Sequence, residues 1–185
     1  AYAHALLQAA ESYRGIAVDT VYFGGGTPTL AGASWLGRTL SELSRIFSIQ
    51  PNSEITLEAN PETVDSVMLE ALRKDGFNRI SFGLQTTEDH TLALLGRQHT
   101  AERGKQAVLW AKEAGFDNIS ADIMLGLPGQ TGDRALESVR EIAALPLQHI
   151  SAYLLKVEPN TPFGRQKDRL PLPQEEETAD LYENT

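Results

Sequence analysis

No cysteine occurs among the 185 residues. Disulfides, thiolate zinc sites and thiolate-held iron–sulfur clusters are therefore beyond what this chain's own side chains can build. Basic clusters are missing too: 16 Lys and Arg stand against 25 Asp and Glu, a formal net charge of −9. A surface of that sign repels a phosphate backbone, so nucleic acid is not an expected partner. No apolar stretch approaches the roughly 20 residues that span a bilayer. The opening AYAHALLQAAESYRG lacks the basic start and apolar run of a secretory leader and reads as a helix entered partway along. A cytoplasmic location is the default expectation. Four histidines, His4, His90, His99 and His149, show no metal-ligand spacing and are assigned to surface or loop positions. Trp35 and Trp110 fall within helical patterns and read as packing residues.

What is present is a globular composition, 41% hydrophobic and 22% charged, on a length suited to one domain with its own core. Short β-rich runs alternate with longer amphipathic patterns, the mark of βα units around a parallel sheet. The predicted strands are Asp19–Phe23, Glu54–Ala59, Arg79–Leu84, Ile119–Leu125 and His149–Val157. A helix is predicted over Trp35–Phe47. In the next, Asn60 is the N-cap, Pro61 the first helical position and Gly76 the stop, with Val64, Val67, Met68, Ala71 and Leu72 as the apolar stripe. Thr100 caps a third helix with Ala107, Val108, Ala111 and Ala114 on its stripe, closed by Gly115. Thr131 starts a fourth, with Leu136, Val139, Ile142 and Ala143 before Pro146. The proline-rich stretch from Pro159 to Gln174 reads as a loop, and Glu175–Tyr182 begins another helix. The expected organisation is thus a barrel core over 1–158 and a loop with the start of a helix over 159–185. Breaks in pattern at both ends lead to the expectation of a piece of a longer protein.

Successive side chains of a strand point to opposite faces of the sheet. In ITLEAN, Ile55, Leu57 and Ala59 share one face while Thr56, Glu58 and Asn60 share the other. ISFGLQ separates Ile80, Phe82 and Leu84 from Ser81, Gly83 and Gln85. ISADIML separates Ile119, Ala121 and Ile123 from Ser120, Asp122 and Met124. A parallel sheet covered on both sides would be apolar on both faces. One apolar and one polar face instead indicate a curved sheet enclosing a polar cavity, with functional groups toward the C-terminal strand ends. Glu58 and Gln85 lie near such ends, and Asp122 lies in the second half of its strand.

The run FGGGTP, Phe23 to Pro28, follows a strand and precedes a helix. Three glycines permit close backbone approach to a ligand and positive φ. The run fits neither a P-loop nor GxGxxG spacing. Two readings fit it: a turn linking strand to helix, or a cradle for a charged amino-acid head group. Arg97 likewise suits a helix C-terminus as well as a ligand, and LGLPGQT, Leu125 to Thr131, is a turn feeding a helix.

Taken in order, FGGGTPTL, LEANPE, RISFGLQT, LGRQH and ADIMLGLPGQT resemble the motifs of radical S-adenosylmethionine (SAM) proteins, in the group of the HemW heme chaperones and oxygen-independent coproporphyrinogen III oxidases (coproporphyrinogen dehydrogenases). The resemblance spans about Val18 to Phe163. It implies an α/β fold, an incomplete (β/α) TIM-like barrel of the radical SAM type with parallel strands. It further implies that Gly25, Gly26 and Thr27 bind the methionine moiety of SAM, and that Glu58, Gln85, Arg97 and Asp122 supply the remaining polar contacts. Carboxylates can accept from an ammonium or ribose hydroxyls, Arg97 can pair with the SAM carboxylate, and Gln85 can donate or accept. Lys156 is a further candidate on the adenosine side.

The family holds a [4Fe–4S] cluster through a CxxxCxxC loop, and this chain has no such loop. The polypeptide as it stands is expected to be inactive in reductive SAM cleavage, so the enzyme question passes to the parent protein. The favoured parent is a heme chaperone that binds heme and hands it to an acceptor protein. A porphyrinogen-decarboxylating oxidase is the alternative, and a scaffold barrel without chemistry is the third reading.

Overall fold

The computed structural model describes residues 2–161 and 163–184; Pro162, within the expected loop, and Thr185 lie outside the described residues, as does Ala1. In chain order the elements are α1 (Tyr2–Ala10), β1 (Ala17–Phe23), α2 (Ala33–Ile46), β2 (Ser48–Ala59), α3 (Ser66–Lys74), β3 (Arg79–Gln85), α4 (Asp89–Leu94), α5 (Ala101–Glu113), β4 (Asn118–Leu125), α6 (Gly132–Ala143), β5 (His149–Leu154) and α7 (Glu175–Asn184). The strands form one sheet in the order β1-β2-β3-β4-β5, and every pairing is parallel. This is the expected incomplete (β/α) barrel, a sheet curled with its helices outside.

The apolar strand face makes the core. Leu57, Ile80, Phe82, Ile119 and Ala121 are fully buried against Leu36, Leu69, Leu72, Val108 and Ala111 of the covering helices. The Phe23 and Phe77 rings meet edge to face, 5.1 Å apart at 69°. Polar side chains staple the strand starts. Asn78 accepts from the Ile55 amide and donates to the Ser53 carbonyl, at 2.7 and 2.8 Å. Gln148 does similar work at β4, accepting from the Ile119 amide at 2.8 Å. Leu181 of α7 is buried with the core.

The structure departs from the sequence reading at several points. Asn60 does not cap a helix with its side chain: a short 3-10 turn, Pro61–Thr63, follows it. The helix itself starts at Ser66, where Asp65 is the cap, accepting from the Met68 amide at 2.7 Å. Consequently Val64 precedes α3, and Val67 on the predicted stripe is 73% exposed. Ala143 is exposed as well. Thr100 does cap α5 through the Arg103 amide at 3.2 Å, whereas Thr131 makes no side-chain cap bond. The last strand stops at Leu154 rather than Val157, and a 3-10 turn occupies Gly164–Arg169 within the expected loop. His99 is buried rather than superficial. Trp110 packs beneath the Arg103 guanidinium, 4.4 Å from the ring centroid.

Candidate functional site

The polar strand face builds a concave site in two tiers. The lower tier closes the barrel floor. Arg79 donates to the Ser120 hydroxyl at 3.1 Å and to the Thr56 hydroxyl at 3.4 Å, and its Nε lies 3.9 Å from Glu54. Ser120 donates to Ser81 at 2.8 Å. Each buried polar group thus has a partner, which is what makes a polar interior tolerable.

Above it opens a cavity of about 370 Å3, lined by Gly25, Gly26, Thr27, Pro28, Glu58, Ala59, Asn60, Ser81, Gly83, Gln85, Arg97, Asp122 and Tyr153. All seven residues singled out in the sequence, Gly25, Gly26, Thr27, Glu58, Gln85, Arg97 and Asp122, therefore line one space, although they come from the glycine turn, three strands and the turn after α4. Lys156 does not line it: it lies beyond β5, 86% exposed, and pairs with Glu158 at 2.8 Å.

Hydrogen bonds fix the lining side chains. Gly25, at φ 113°, turns its amide onto Glu58 Oε2 at 3.1 Å, a backbone conformation that favours glycine. Tyr22 donates its hydroxyl to the other oxygen of Glu58. Asn60 donates to Thr27 Oγ1 at 3.0 Å and accepts from Arg97 Nη1 at 2.9 Å. It therefore ties the glycine turn to the arginine. Tyr153 donates to Gln85 Oε1 at 2.6 Å. The chain reaches this arrangement through a left-handed residue, Gln85 at φ 69°, where the register between β3 and β4 shifts. Such a conformation is uncommon for a residue other than glycine. Gly83 leaves room for this cluster: a Cβ there would stand 3.0 Å from Gln85 Nε2 and 3.1 Å from Asn60 Oδ1.

The electrostatics follow from burial and close carboxylates. Burial raises the Asp122 carboxyl above its ordinary range; a Ser151 hydrogen bond opposes this, and the Glu58 charge adds to it. Loss of water around the hydroxyl, then the Glu58 carboxylate, push the Tyr22 phenol up to about 12. Since the Tyr22 side is 61% exposed overall, the carboxylate contact is the firmer of the two causes. Burial also raises Tyr153. With Glu58 and Asp122 against Arg97 in the lining, the cavity suits a ligand with an excess of positive charge and one anionic group.

Sequence reasoning set Asn60 and Gly83 on the polar face without giving them a part in the site, and it missed Tyr22 and Tyr153. The alternation of Thr20 and Tyr22 in β1, and of Ser151 and Tyr153 in β5, is the signal that would have revealed the tyrosines. Among the described residues, no cluster of His, Asp and Glu could hold a metal ion, and no helix is long and apolar enough to cross a membrane.

The chain is 40% identical over 169 residues to the heme chaperone HemW of Bacillus subtilis, covering 90% of this chain and 45% of that protein. Against the heme chaperone HemW of Haemophilus influenzae it is 40% identical over 154 residues, covering 83% and 40%. The chain thus spans less than half the length of these curated relatives. Among solved structures, coproporphyrinogen III oxidase (HemN) of Escherichia coli, described as a radical SAM enzyme, superposes with a TM-score of 0.84 at 25% identity, over 98% of this chain and 44% of that one. The archaeal Elp3 of Methanocaldococcus infernus shares the fold, with a TM-score of 0.77 at 17% identity. Residues 3–142 match the radical SAM superfamily, and the chain belongs to that superfamily.

Proposed function

We propose that this chain is the SAM-holding part of a heme chaperone of the HemW kind. The observation that carries the reading is the cavity, in which Glu58, Arg97 and Asp122 converge beside the glycine turn. SAM carries an ammonium, a sulfonium and a carboxylate, so its net charge of about +1 complements two carboxylates and one guanidinium.

Superfamily membership implies SAM and a [4Fe–4S] cluster as cofactors. The residues present fit the first and not the second. With no cysteine in the chain, no thiolate is available to bind iron, and no step through a cluster is assigned to these residues. SAM, when bound, supplies an adenosyl and a methionyl portion joined at a sulfonium. Gly25, Gly26 and Thr27 would take the methionine end, with Arg97 on its carboxylate. Glu58 and Asp122 would accept from the ammonium or the ribose hydroxyls, and Gln85 would supply a donor while Tyr153 occupies its carbonyl oxygen. The closed polar floor beneath keeps these side chains in place.

Heme as cargo, an acceptor protein as partner and a cytoplasmic setting belong to the same proposal, supported by the 40% identity to HemW proteins. The second reading, a coproporphyrinogen III oxidase, is favoured by the superposition on HemN. The experiment uses the whole gene product containing this chain, reconstituted anaerobically with iron and sulfide. Stable heme uptake, seen as a shifted Soret band, without consumption of coproporphyrinogen is the expected result. Decarboxylated porphyrin product would replace the first reading by the second.

A further inference from the structure

Three side-chain bonds run in step between the connection from β2 to α3 and the segment that runs from the end of α4 into the first turn of α5. Arg97 Nη1 donates to Asn60 Oδ1 at 2.9 Å, His99 Nδ1 meets Glu62 Oε2 at 2.9 Å, and Arg103 Nη2 donates to the Val64 carbonyl at 2.5 Å. The first rung faces the cavity. The middle rung is different in kind: the His99 side chain is 1% exposed and that of Glu62 22%. The small cleft beside the imidazole is lined by Leu84, Gly104 and Ile142 and by the polar Thr86, Thr87 and Lys105, and the ring's Nε2 has no hydrogen-bond partner among the described residues. With Nδ1 engaged by Glu62, Nε2 is the ring nitrogen left without a partner. A buried polar ring so poorly satisfied costs stability compared with an aliphatic residue. It calls for a role that an aliphatic residue would not fill.

We propose that His99 is a positioning residue for the SAM cavity: through Glu62 it locks the turn that carries Arg97 and so sets where the guanidinium stands. The proposal rests on the reading that Arg97 takes the SAM carboxylate. Arginine has a long, rotamer-rich side chain, and Arg97 directly follows Gly96, whose left-handed φ of 74° turns the chain there. Its backbone amide is held on one side by the Leu92 carbonyl at 2.9 Å. Two residues on, the part-buried His99–Glu62 bond fixes the other side. Because Glu62 is two residues from Asn60, the same bond holds both partners of the rung that faces the cavity.

The test compares the full chain with His99→Leu, which fills the space without a donor, and His99→Asn, which keeps a donor near the Nδ1 position. Glu62→Ala removes the acceptor from a partly exposed site, and covers the case in which His99→Leu does not fold. Backbone hydrogen exchange at residues 95–99 is read without ligand, and SAM affinity is read by calorimetry. His99→Leu and Glu62→Ala are expected to speed local exchange and weaken SAM about tenfold, the size of one well-placed hydrogen bond, while exchange in β4 is unchanged. His99→Asn is expected to recover most of both. Unchanged exchange at 95–99 in His99→Leu or Glu62→Ala, or Asn behaving no better than Leu, overturns the proposal. If the parent chain itself does not bind SAM while exchange responds as expected, the positioning bond stands and the SAM reading alone fails.

Discussion

Gly83→Ala separates the needs of the fold from those of the cavity. Gly83 lies in β3 and is not one of the left-handed glycines, so alanine fits its backbone. The added methyl would stand 3.0 Å from Gln85 Nε2, 3.1 Å from Asn60 Oδ1 and 3.6 Å from Arg97 Nη1. The first two separations are tighter than ordinary van der Waals contact, so both side chains must move by tenths of an ångström. Such a shift bends the Arg97–Asn60 and Tyr153–Gln85 bonds, each worth about 1 kcal/mol to the fold. Alanine also narrows the unfolded ensemble, which returns about 0.4–1 kcal/mol. Net stability is therefore expected to change by less than about 1 kcal/mol. Binding has no such offset. Displacing an arginine and an amide that face the ligand costs about 2 kcal/mol, close to a thirtyfold rise in Kd. Urea unfolding measures the first quantity and calorimetric titration with SAM the second. A variant that binds SAM like the parent would refute the reasoning that these side chains form the binding surface.

Asp122 gives a prediction whose sign comes from its raised carboxyl. Its folded pKa lies above the ordinary 3.8, so the stabilisation linked to its proton is complete below that value. This contribution is lost as pH rises through the folded pKa. Asp122→Asn, which cannot ionise, is expected to gain stability over the parent at pH 7 relative to pH 3 while losing SAM affinity; equal urea midpoint differences at the two pH values would contradict this. At the helix starts, Thr100→Ala is expected to cost about 1 kcal/mol and Thr131→Ala only a few tenths, because the first makes a cap bond and the second does not. Thermal or urea denaturation of the two variants side by side checks the difference.

The strands and the two-faced pattern were legible because a period of two needs only local sequence. Ile80, Phe82 and Leu84 turn toward the helices, and Ser81, Gly83 and Gln85 turn to the cavity and floor. What could not be read locally depended on contacts made across the fold. Asn60 followed by proline is a standard helix start, yet its amide is engaged by Thr27 and Arg97, 33 and 37 residues away. His99 carries no periodic signal of burial, since its partner Glu62 comes from another segment. Val67 falls on an apolar stripe only when the helix begins at Pro61, five residues early; with the start at Ser66 it faces solvent. Tyr22 and Tyr153 sit on the edge strands, β1 and β5. Their inward neighbours were too few to make the alternation plain.

The most direct measurement is a crystal structure of this chain grown with SAM. Density for the methionyl end beside Gly25 and Gly26, with its carboxylate on Arg97 and the ribose or ammonium reached by Glu58 or Asp122, is the predicted outcome. SAM seated elsewhere, such as the apolar groove between Tyr2, Leu6 and Leu30, with Glu58, Arg97 and Asp122 untouched, would contradict the account.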